Sequence, residues 1–418
     1  MLQGWRLVNK FACHHCIEDI ALKCFAKKSA VEHGCNYCGR SSRGQPIAVE
    51  VDDLIEQVNE GLLTEWTDPD DEGVFYDSGE GGYQGTEVFD TWDLLDHIGS
   101  PFANHNLFVD VATAFNHQWC QKDFAQLKPE EALKYGWEEF ASTVKHSRRY
   151  LFSIAPDDRA DGRGFEEVPP AEFLTRLGET INQVHLITLL PARTRIWRGR
   201  PHPPTQRLSS ASDLGTVPLS AAIYSNRMSP AGIPMFYGAF DEKTVRAELY
   251  DPTKRSQIIT VGIFETARHF KVVDLTRLPG LPSLFDTNNR HKRAGLRFLE
   301  GLVRDLSAPI IKDGREHIEY VPSQIVTEYF RKVFRTVRGE PVHGLIYQSS
   351  QKDMGRCCVL FFENEHCCQI SRGWNHVQPV STDAKWLGLR PGIKRVTPLR
   401  AKHVSVRNPW KRFNKRSS

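Results

Sequence analysis

Two closely spaced pairs of cysteines near the N-terminus constrain the fold of this chain more than any other feature. Cys13 and Cys16 form one C-x2-C pair, and Cys35 and Cys38 form a second after 18 intervening residues. This spacing lets two short knuckles supply four thiolates to one tetrahedral zinc ion. Because four thiolates leave no open coordination position, the pattern predicts a structural zinc that holds an N-terminal module, residues 1–45, together.

The segment between the cysteine pairs, IEDIALKCFAKKSAV, has apolar residues at helical spacing. The predicted apolar face of this helix consists of Ile17, Ile20, Ala21, Cys24 and Phe25. We therefore expect Cys24 to be packed rather than bound to metal. The nearby side chains that could replace a zinc ligand are His14, His15, Cys24 and His33.

Length and cysteine usage favour a multidomain protein of a reducing compartment. A chain of 418 residues is expected to form two or three domains. The sequence shows neither a stretch of 18 apolar residues nor a secretory leader, so we predict a cytoplasmic protein with no membrane association. The cysteine doublets at 357–358 and 367–368 lie in apolar segments, where we expect core packing first and a redox pair second.

Charge is distributed very unevenly along the chain. Residues 44–121 contain 17 Asp and Glu and no Lys or Arg, whereas residues 386–418 contain ten Lys and Arg and no Asp or Glu. We therefore separate a basic C-terminal tail, 381–418, from the rest of the chain. The first interpretation of this tail is an ordinary solvated end. The second is docking on the acidic module of the same or a neighbouring chain, and the third is nucleic-acid binding through phosphate contacts.

Residues 46–185 are predicted to form a mostly helical module. Apolar periodicity indicates helices around 48–63, 88–98, 129–146 and 170–184. Pro129, followed by Glu130 and Glu131, is typical of a helix start, because proline suits the first turn and carboxylates favour the positive end of the helix dipole.

Two arginines in the second half of the chain have surroundings that suggest an anionic ligand. Arg198 lies in IWRGR (196–200), after an apolar pair typical of the end of a short strand. Arg227 opens NRMSPAGIPMFYGAFDEKTVRAEL (226–249), whose prolines and glycine predict a loop. Two guanidinium forks near one cleft could hold a pyrophosphate by paired charge-assisted bonds. The competing interpretation is that both are solvated surface groups.

A tyrosine and a glutamate follow in the same stretch. MFYGAF predicts a strand that carries Tyr237, and Asp241 is a good N-cap for a short helix that contains Glu248. A carboxylate beside a glycosidic bond can stabilise the cationic sugar that forms as the leaving group departs. The tyrosine could stack on a ring of the ligand. By residue type alone, a surface glutamate and a core tyrosine are the simpler interpretations.

Ser349 lies at the end of a predicted hairpin strand. GLIYQ and CVLFF, joined by a polar link with Gly355, have the composition of two paired strands. No base is adjacent in sequence, so we assign Ser349 hydrogen bonding to the substrate rather than nucleophilic attack. Ser350 is an equally plausible hydroxyl by its chemistry.

These stretches, together with EYVPSQIVTEYFR (319–331) and HGLIYQSSQ (343–351), resemble in their order the RES family, named for its Arg, Glu and Ser. The family's aromatic residue two positions before the serine matches Tyr347 and selects Ser349. The resemblance implies an α+β fold with an ADP-ribosyltransferase-like mixed sheet over 186–380. It also implies that the NAD pocket is lined by Arg198, Arg227, Tyr237, Glu248 and Ser349. The basic segment NNRHKRAGLRFLEGLVRDL departs from a compact toxin by its length.

The motifs CHHC, CNYCG and GEGGYQG (79–85) resemble the N-terminal module that precedes RES domains and is assigned to the HEPN group. HEPN ribonucleases use an Arg followed after four to six residues by a His. Residues 45–185 contain no such pair, which disfavours RNA cleavage by this module.

The resemblance to RES proteins implies an enzyme that destroys NAD by hydrolysis or phosphorolysis, an NAD glycohydrolase or NAD phosphorylase, acting as a toxin or defence effector. Its partners would be NAD and an antitoxin or regulatory protein, and the oligomeric state stays open. One alternative is an ADP-ribosyltransferase that modifies a macromolecule. Another is a nucleic-acid-binding zinc protein whose RES-like half is non-catalytic.

Overall fold

The computed structural model describes residues 5–154, 167–251, 258–309, 314–370 and 386–397. The chain divides into two compact units, which are described separately below. The first unit comprises 1–131 and 280–294, and the second comprises 132–279 and 295–418. The predicted four-part division at 45, 185 and 380 stays a prediction.

The helices of the described residues are α1 (Ile20–Lys28), α2 (Val51–Leu62), α3 (Thr91–His97), α4 (His105–Ala114), α5 (Pro129–His146), α6 (Pro170–Gln183), α7 (Ala211–Leu214), α8 (Glu242–Glu248), α9 (Arg293–Ser307), α10 (Glu316–Glu319) and α11 (Val321–Lys332). The strands of the first unit are β1 (Phe11–Cys13), β2 (Ala48–Glu50), β3 (Trp66–Thr67), β4 (Phe75–Asp77), β5 (Gly82–Gln84), β6 (Val88–Asp90) and β7 (Gln118–Gln121). The strands of the second unit are β8 (Ile187–Leu190), β9 (Arg195–His202), β10 (Phe236–Ala239), β11 (Ile258–Thr266), β12 (Phe270–Asp274), β13 (Gly344–Gln348), β14 (Arg356–Leu360), β15 (Cys367–Gln369), β16 (Leu387–Leu389) and β17 (Lys394–Val396).

In the first unit, the helix between the cysteine pairs forms as expected, and its buried face overlaps the predicted one but is shifted toward Leu22 and Ala26. The Asp19 carboxylate caps α1 by accepting a hydrogen bond from the Leu22 N–H at 3.0 Å. Leu22 and Ala26 are the buried residues of this helix, whereas Cys24 is exposed. The expectation that Cys24 is packed is therefore wrong, because the core contact is made by an i, i+4 pair one position away from the predicted stripe.

The middle of the first unit contains short strands that helical periodicity did not predict. β3, β7 and β6 form one antiparallel sheet, and β4 pairs with β5 in a hairpin. The buried Trp119 of β7 donates its indole N–H to Thr91 at 2.9 Å, which satisfies its one polar atom inside the core. The predicted helices α2, α3, α5 and α6 are present, and α4 was not predicted.

The second unit is built on a large curled sheet, in the order β15-β16-β11-β9-β10-β14-β13-β12-β8, with β17 also paired to β11. The pairs β12–β13 and β15–β16 are parallel and the others are antiparallel, so the predicted mixed sheet of an α+β protein is confirmed. β16 and β17 lie within the segment predicted as a basic tail, of which 381–385 and 398–418 lie outside the described residues.

The sheet opens between β9 and β10. β9 pairs with β11 over eight residue pairs, from Arg195 to His202. In the described part of the chain, the ladder between β9 and β10 contains a single pair, Ala239 with Trp197. The IWRGR motif is therefore the middle of a long strand and not the end of a short one. Beyond this pair, backbone groups of β9 and β10 need other hydrogen-bond partners.

The predicted hairpin of the second unit is confirmed as β13 and β14, which pair from Gly344 to Gln348. Cys357 and Cys358 alternate across β14 and pack in separate apolar clusters on the two faces of the sheet. Burial raises the pKa of the Cys358 thiol to about 12 and that of Cys357 above its ordinary value. Both thiols are therefore core residues, as expected for this doublet.

Candidate functional site

A cavity of about 1260 Å³ lies in the second unit, beside α8 and the opening between β9 and β10. The cavity is lined by four of the five residues that the sequence assigned to the pocket, namely Arg198, Arg227, Tyr237 and Glu248. Ser349 lies directly behind Glu248 and is buried, with an exposed fraction of 5%. Ser350 lines the cavity itself. Residues far apart in sequence therefore meet around one space large enough for a dinucleotide.

Glu248 is the last residue of α8, and its position is fixed by the β13–β14 loop. The Ser349 hydroxyl donates a hydrogen bond to Oε1 of Glu248. The same Oγ accepts hydrogen bonds from the backbone N–H groups of Gln351 at 3.2 Å and Lys352 at 3.1 Å. A serine hydroxyl has one donor and two acceptor positions, and all three are used here. In this arrangement Ser349 orients Glu248, and its predicted bond to the substrate stays a prediction.

The other end of α8 is held by the same loop. Asp241 caps the helix by accepting a hydrogen bond from the Thr244 N–H at 2.9 Å. Lys352 Nζ lies 3.2 Å from both Asp241 carboxylate oxygens and 3.1 Å from Thr244 Oγ1. Burial raises the pKa of Asp241, but hydrogen bonds from Thr244 and Lys352 outweigh it, so the pKa lies below its ordinary value. Both ends of the helix that carries Glu248 are thus tied to one loop.

Tyrosine side chains form part of the cavity wall. The Tyr237 hydroxyl donates a hydrogen bond to Ser229 Oγ at 2.9 Å, and burial raises the pKa of this phenol to about 12. Burial also raises the pKa of Tyr347, a cavity residue that the sequence used only to choose between two serines. Both phenols are therefore neutral near pH 7 and present aromatic faces with a polar hydroxyl.

Arg198 is nearly buried, with an exposed fraction of 7%. Its Nε donates to the Leu214 carbonyl at 2.8 Å, its Nη2 to the Gly215 carbonyl at 3.1 Å and its Nη1 to the Tyr237 carbonyl. Burial, followed by the nearby charge of Arg200, lowers the pKa of Arg198 to about 10. The guanidinium is still charged near pH 7, but much of its hydrogen-bonding capacity is taken by the main chain.

Arg227 is half-buried and caps the C-terminal end of α9. Its Nη1 and Nη2 donate to the carbonyls of Leu306 and Ala308, both at 2.7 Å. The last carbonyls of a helix lack partners within the helix, and a cation there also complements the helix dipole. Arg227 therefore connects its own loop to the end of α9. The same arginine side chain also lines the cavity.

Polar residues of α11 that the sequence analysis missed hold the Arg227 loop in place. Ser323 Oγ donates to the Arg227 carbonyl at 2.5 Å. The Gln324 amide donates to Ser225 Oγ at 2.9 Å and to the Asn226 carbonyl at 2.7 Å. Both α11 side chains are buried. The signal available in the sequence was two adjacent polar residues within an amphipathic helix, but it does not specify which loop they contact.

The four cysteines of the N-terminal pairs meet in the first unit. Their sulfur atoms all lie within 4.8 Å of one another, and the Sγ–Sγ distances include 3.5 Å between Cys13 and Cys38 and 3.7 Å between Cys16 and Cys35. A tetrahedron with Zn–S bonds of about 2.3 Å has sulfur atoms about 3.8 Å apart. The arrangement therefore fits zinc, and His14, His15, Cys24 and His33 do not belong to the cluster.

A carboxylate, neutral tyrosines and arginines around one large cavity define a ligand-binding α+β domain. Residues 195–376 match the family model of the RES domain, and residues 28–158 match that of HEPN/RES N-terminal domain 1. The chain thus carries a HEPN/RES N-terminal domain 1 followed by a RES domain. No curated protein and no solved structure matches it.

A RES domain is associated with NAD-related, toxin-like activity and suggests an enzyme that acts on NAD. Within the described ranges, no helix combines the length and the apolar character that crossing a bilayer requires.

Proposed function

We propose that this protein cleaves the bond between nicotinamide and ribose in NAD, by hydrolysis or phosphorolysis. The observation that carries the proposal is the carboxylate of Glu248, which faces the cavity and is oriented by the buried hydroxyl of Ser349. The match to the RES domain supports NAD as the substrate.

The chemistry assigned to Glu248 is electrostatic. As nicotinamide leaves with the bonding electron pair, positive charge develops on the ribose, and a fixed carboxylate stabilises that charge without having to reorganise. Water then forms the new bond to the ribose carbon and releases one proton to the solvent, which gives ADP-ribose, or phosphate forms that bond and gives the phosphorylated form. Arg227 would bind the pyrophosphate, and Tyr237 would support the nicotinamide or ribose face.

In a cell, such an activity removes NAD and would act as a toxin or defence effector in the cytoplasm, restrained by an antitoxin or regulatory protein. The RES match supports this role. The four-cysteine module is proposed as a structural zinc site outside the reaction.

One observation favours a second candidate, an ADP-ribosyltransferase with a macromolecular acceptor. Leu219, Ile223 and Tyr224 are large apolar side chains with exposed fractions of 65%, 68% and 77%, and Tyr224 lines the cavity. Exposed apolar groups at a cavity edge can contact a protein partner. The alternative of a nucleic-acid-binding protein with a non-catalytic RES-like domain does not explain why Ser349 orients the Glu248 carboxylate at the cavity.

The test is incubation of the full-length protein with NAD, followed by chromatography of nicotinamide and of the ribose-containing product. Free ADP-ribose indicates hydrolysis, a phosphorylated ADP-ribose formed only with added phosphate indicates phosphorolysis, and ADP-ribose attached to added protein or nucleic acid indicates transfer. The proposal expects one of the first two. Absence of nicotinamide release with NAD alone, with added phosphate and with added protein or nucleic acid would contradict the proposal.

A further inference from the structure

Two arginines of β9, Arg198 and Arg200, share one acceptor but differ in what else they bind. Side chains two residues apart in a strand lie on the same face, and both of these line the cavity. Both donate to the carbonyl of Gly215, at 3.1 Å from Arg198 and 3.0 Å from Arg200. Gly215 lets the main chain come this close, because an added Cβ would lie 2.6 Å from the Ala211 carbonyl oxygen.

The Arg198 side chain connects β9 to β10 where, in the described chain, the two strands are not paired. β9 and β10 share a single ladder pair in the described chain, and the Arg198 guanidinium reaches across to the Tyr237 carbonyl of β10. Its other donors bind the carbonyls of Leu214 and Gly215, and its Cζ lies over the Phe236 ring, 4.9 Å from the ring centroid. Nearly buried and bonded on all three nitrogens, this guanidinium stabilises the open edge of the sheet.

Most side-chain N–H groups of Arg200 have no hydrogen-bond acceptor among the described residues. It is half-buried, and the Gly215 carbonyl accepts its one side-chain hydrogen bond among the described residues. In that same part of the chain it forms no ion pair with a carboxylate. The nearby Asp213 carboxylate instead accepts the backbone N–H groups of Ser209 and Ser210, both at 2.9 Å. A guanidinium with one hydrogen bond to the main chain, and with its other N–H groups without a partner among the described residues, can donate paired hydrogen bonds to a phosphate.

We propose that Arg200, and not Arg198, is the arginine of this strand that binds the substrate's pyrophosphate, and that Arg198 is a structural residue that stabilises the opening between β9 and β10. This assignment rests on the proposed function, because a dinucleotide brings the phosphates. If Arg200 binds the pyrophosphate, its contribution to ligand affinity depends on the phosphate groups of the ligand and not on the nicotinamide or adenine base.

Calorimetric binding of ADP-ribose, AMP and adenosine to the full-length protein tests the assignment. Losing charge-assisted bonds to phosphate costs about 10- to 100-fold in affinity, so Arg200→Ala should weaken ADP-ribose binding by that factor. Adenosine binding and the Tm should stay at wild-type values. Arg195→Ala is the matched control, because this arginine of the same strand has a side chain that is 63% exposed and does not line the cavity. Arg198→Lys should lower the Tm, since one ammonium cannot reach all three carbonyls.

The outcomes separate this inference from the proposed function. Wild-type ADP-ribose affinity in Arg200→Ala would overturn the assignment even if the protein cleaves NAD. An unchanged Tm in Arg198→Lys would overturn the structural role of Arg198. If the wild type binds ADP-ribose but releases no nicotinamide, cleavage fails while the arginine assignment stands. Failure of the wild type to bind ADP-ribose overturns the arginine assignment, whereas the proposed function is overturned only by the absence of nicotinamide release.

Discussion

The buried hydroxyl of Ser349 donates a hydrogen bond to the carboxylate of Glu248 at the end of α8. The serine hydroxyl accepts hydrogen bonds from the backbone N–H groups of Gln351 and Lys352 in the β13–β14 loop. These bonds fix the hydroxyl, and the hydroxyl in turn orients the carboxylate. Under the proposed function, this contact would hold the carboxylate in place before positive charge develops on the ribose.

Ser349→Ala should lower kcat by about tenfold with little change in KM, because the carboxylate remains but loses its orientation. Ser350→Ala is the comparison variant, because this neighbouring serine lines the cavity and its side chain bonds to Gln351 rather than Glu248. Any effect of Ser350→Ala should therefore fall on KM and not on kcat. Steady-state kinetics of nicotinamide release give both parameters. A rise in KM with unchanged kcat in Ser349→Ala would instead indicate that this hydroxyl binds the substrate directly, as the sequence predicts.

Cys35→Ser should lose about one equivalent of zinc and loosen the first unit, because binding energy at a structural zinc site is folding energy. Cys24→Ser is the control, since Cys24 is exposed on α1 and lies outside the four-sulfur cluster. Metal content by mass spectrometry and limited proteolysis of the N-terminal region are the measurements. Full zinc content with unchanged protease resistance in Cys35→Ser would remove that cysteine from the site.

Gln324→Ala should destabilise the protein by about 0.5–1.5 kcal/mol, because the variant removes the hydrogen bond from the buried amide to the Asn226 carbonyl. Since this segment carries Arg227, KM for NAD should also rise. Glu328→Ala on the exposed side of the same helix is the control. Denaturant unfolding and NAD kinetics are measured on both variants. Equal stability and equal KM in the two would show that α11 does not hold the loop.

The charge of Asp241 should make a pH-dependent contribution to stability. Because its pKa is lower in the folded protein than its ordinary value, ionised Asp241 stabilises the fold at neutral pH. This contribution is lost as the pH falls from about 4 through the lowered pKa. Asp241→Asn retains an N-cap oxygen but removes the charge, so it should cost about 0.2–1 kcal/mol at pH 7 for this partly exposed pair with Lys352.

Unfolding of wild type and Asp241→Asn by urea at pH 7 and near pH 3 checks this expectation. The difference between them should shrink at the lower pH. A difference that grows with acidification would mean that the carboxylate is not stabilised by Lys352 and Thr244.

Features set by local chemistry could be predicted from the sequence, whereas features set by strand arrangement could not. The cap at Asp241, the β13–β14 hairpin and the spacing of the four cysteines depend on neighbouring residues, and the structure contains all of them. The predicted face of α1 was right in part, because Ile17, Ala21 and Phe25 lie in or against the core. It was wrong for Ile20 and Cys24, which are exposed because tertiary packing buries Leu22 and Ala26 instead. The buried state of Arg198 depends on how two distant strands diverge, which spacing does not encode.

The most direct test of the central claim is Glu248→Gln, measured for ligand affinity and turnover on one preparation. Removing a stabilising charge at the reacting centre costs on the order of a hundredfold to a thousandfold in rate. We therefore predict that Glu248→Gln binds NAD with nearly wild-type affinity and releases almost no nicotinamide. Glu242→Gln, at the other end of α8 and outside the cavity lining, should keep wild-type turnover. Near wild-type nicotinamide release by Glu248→Gln would contradict the account.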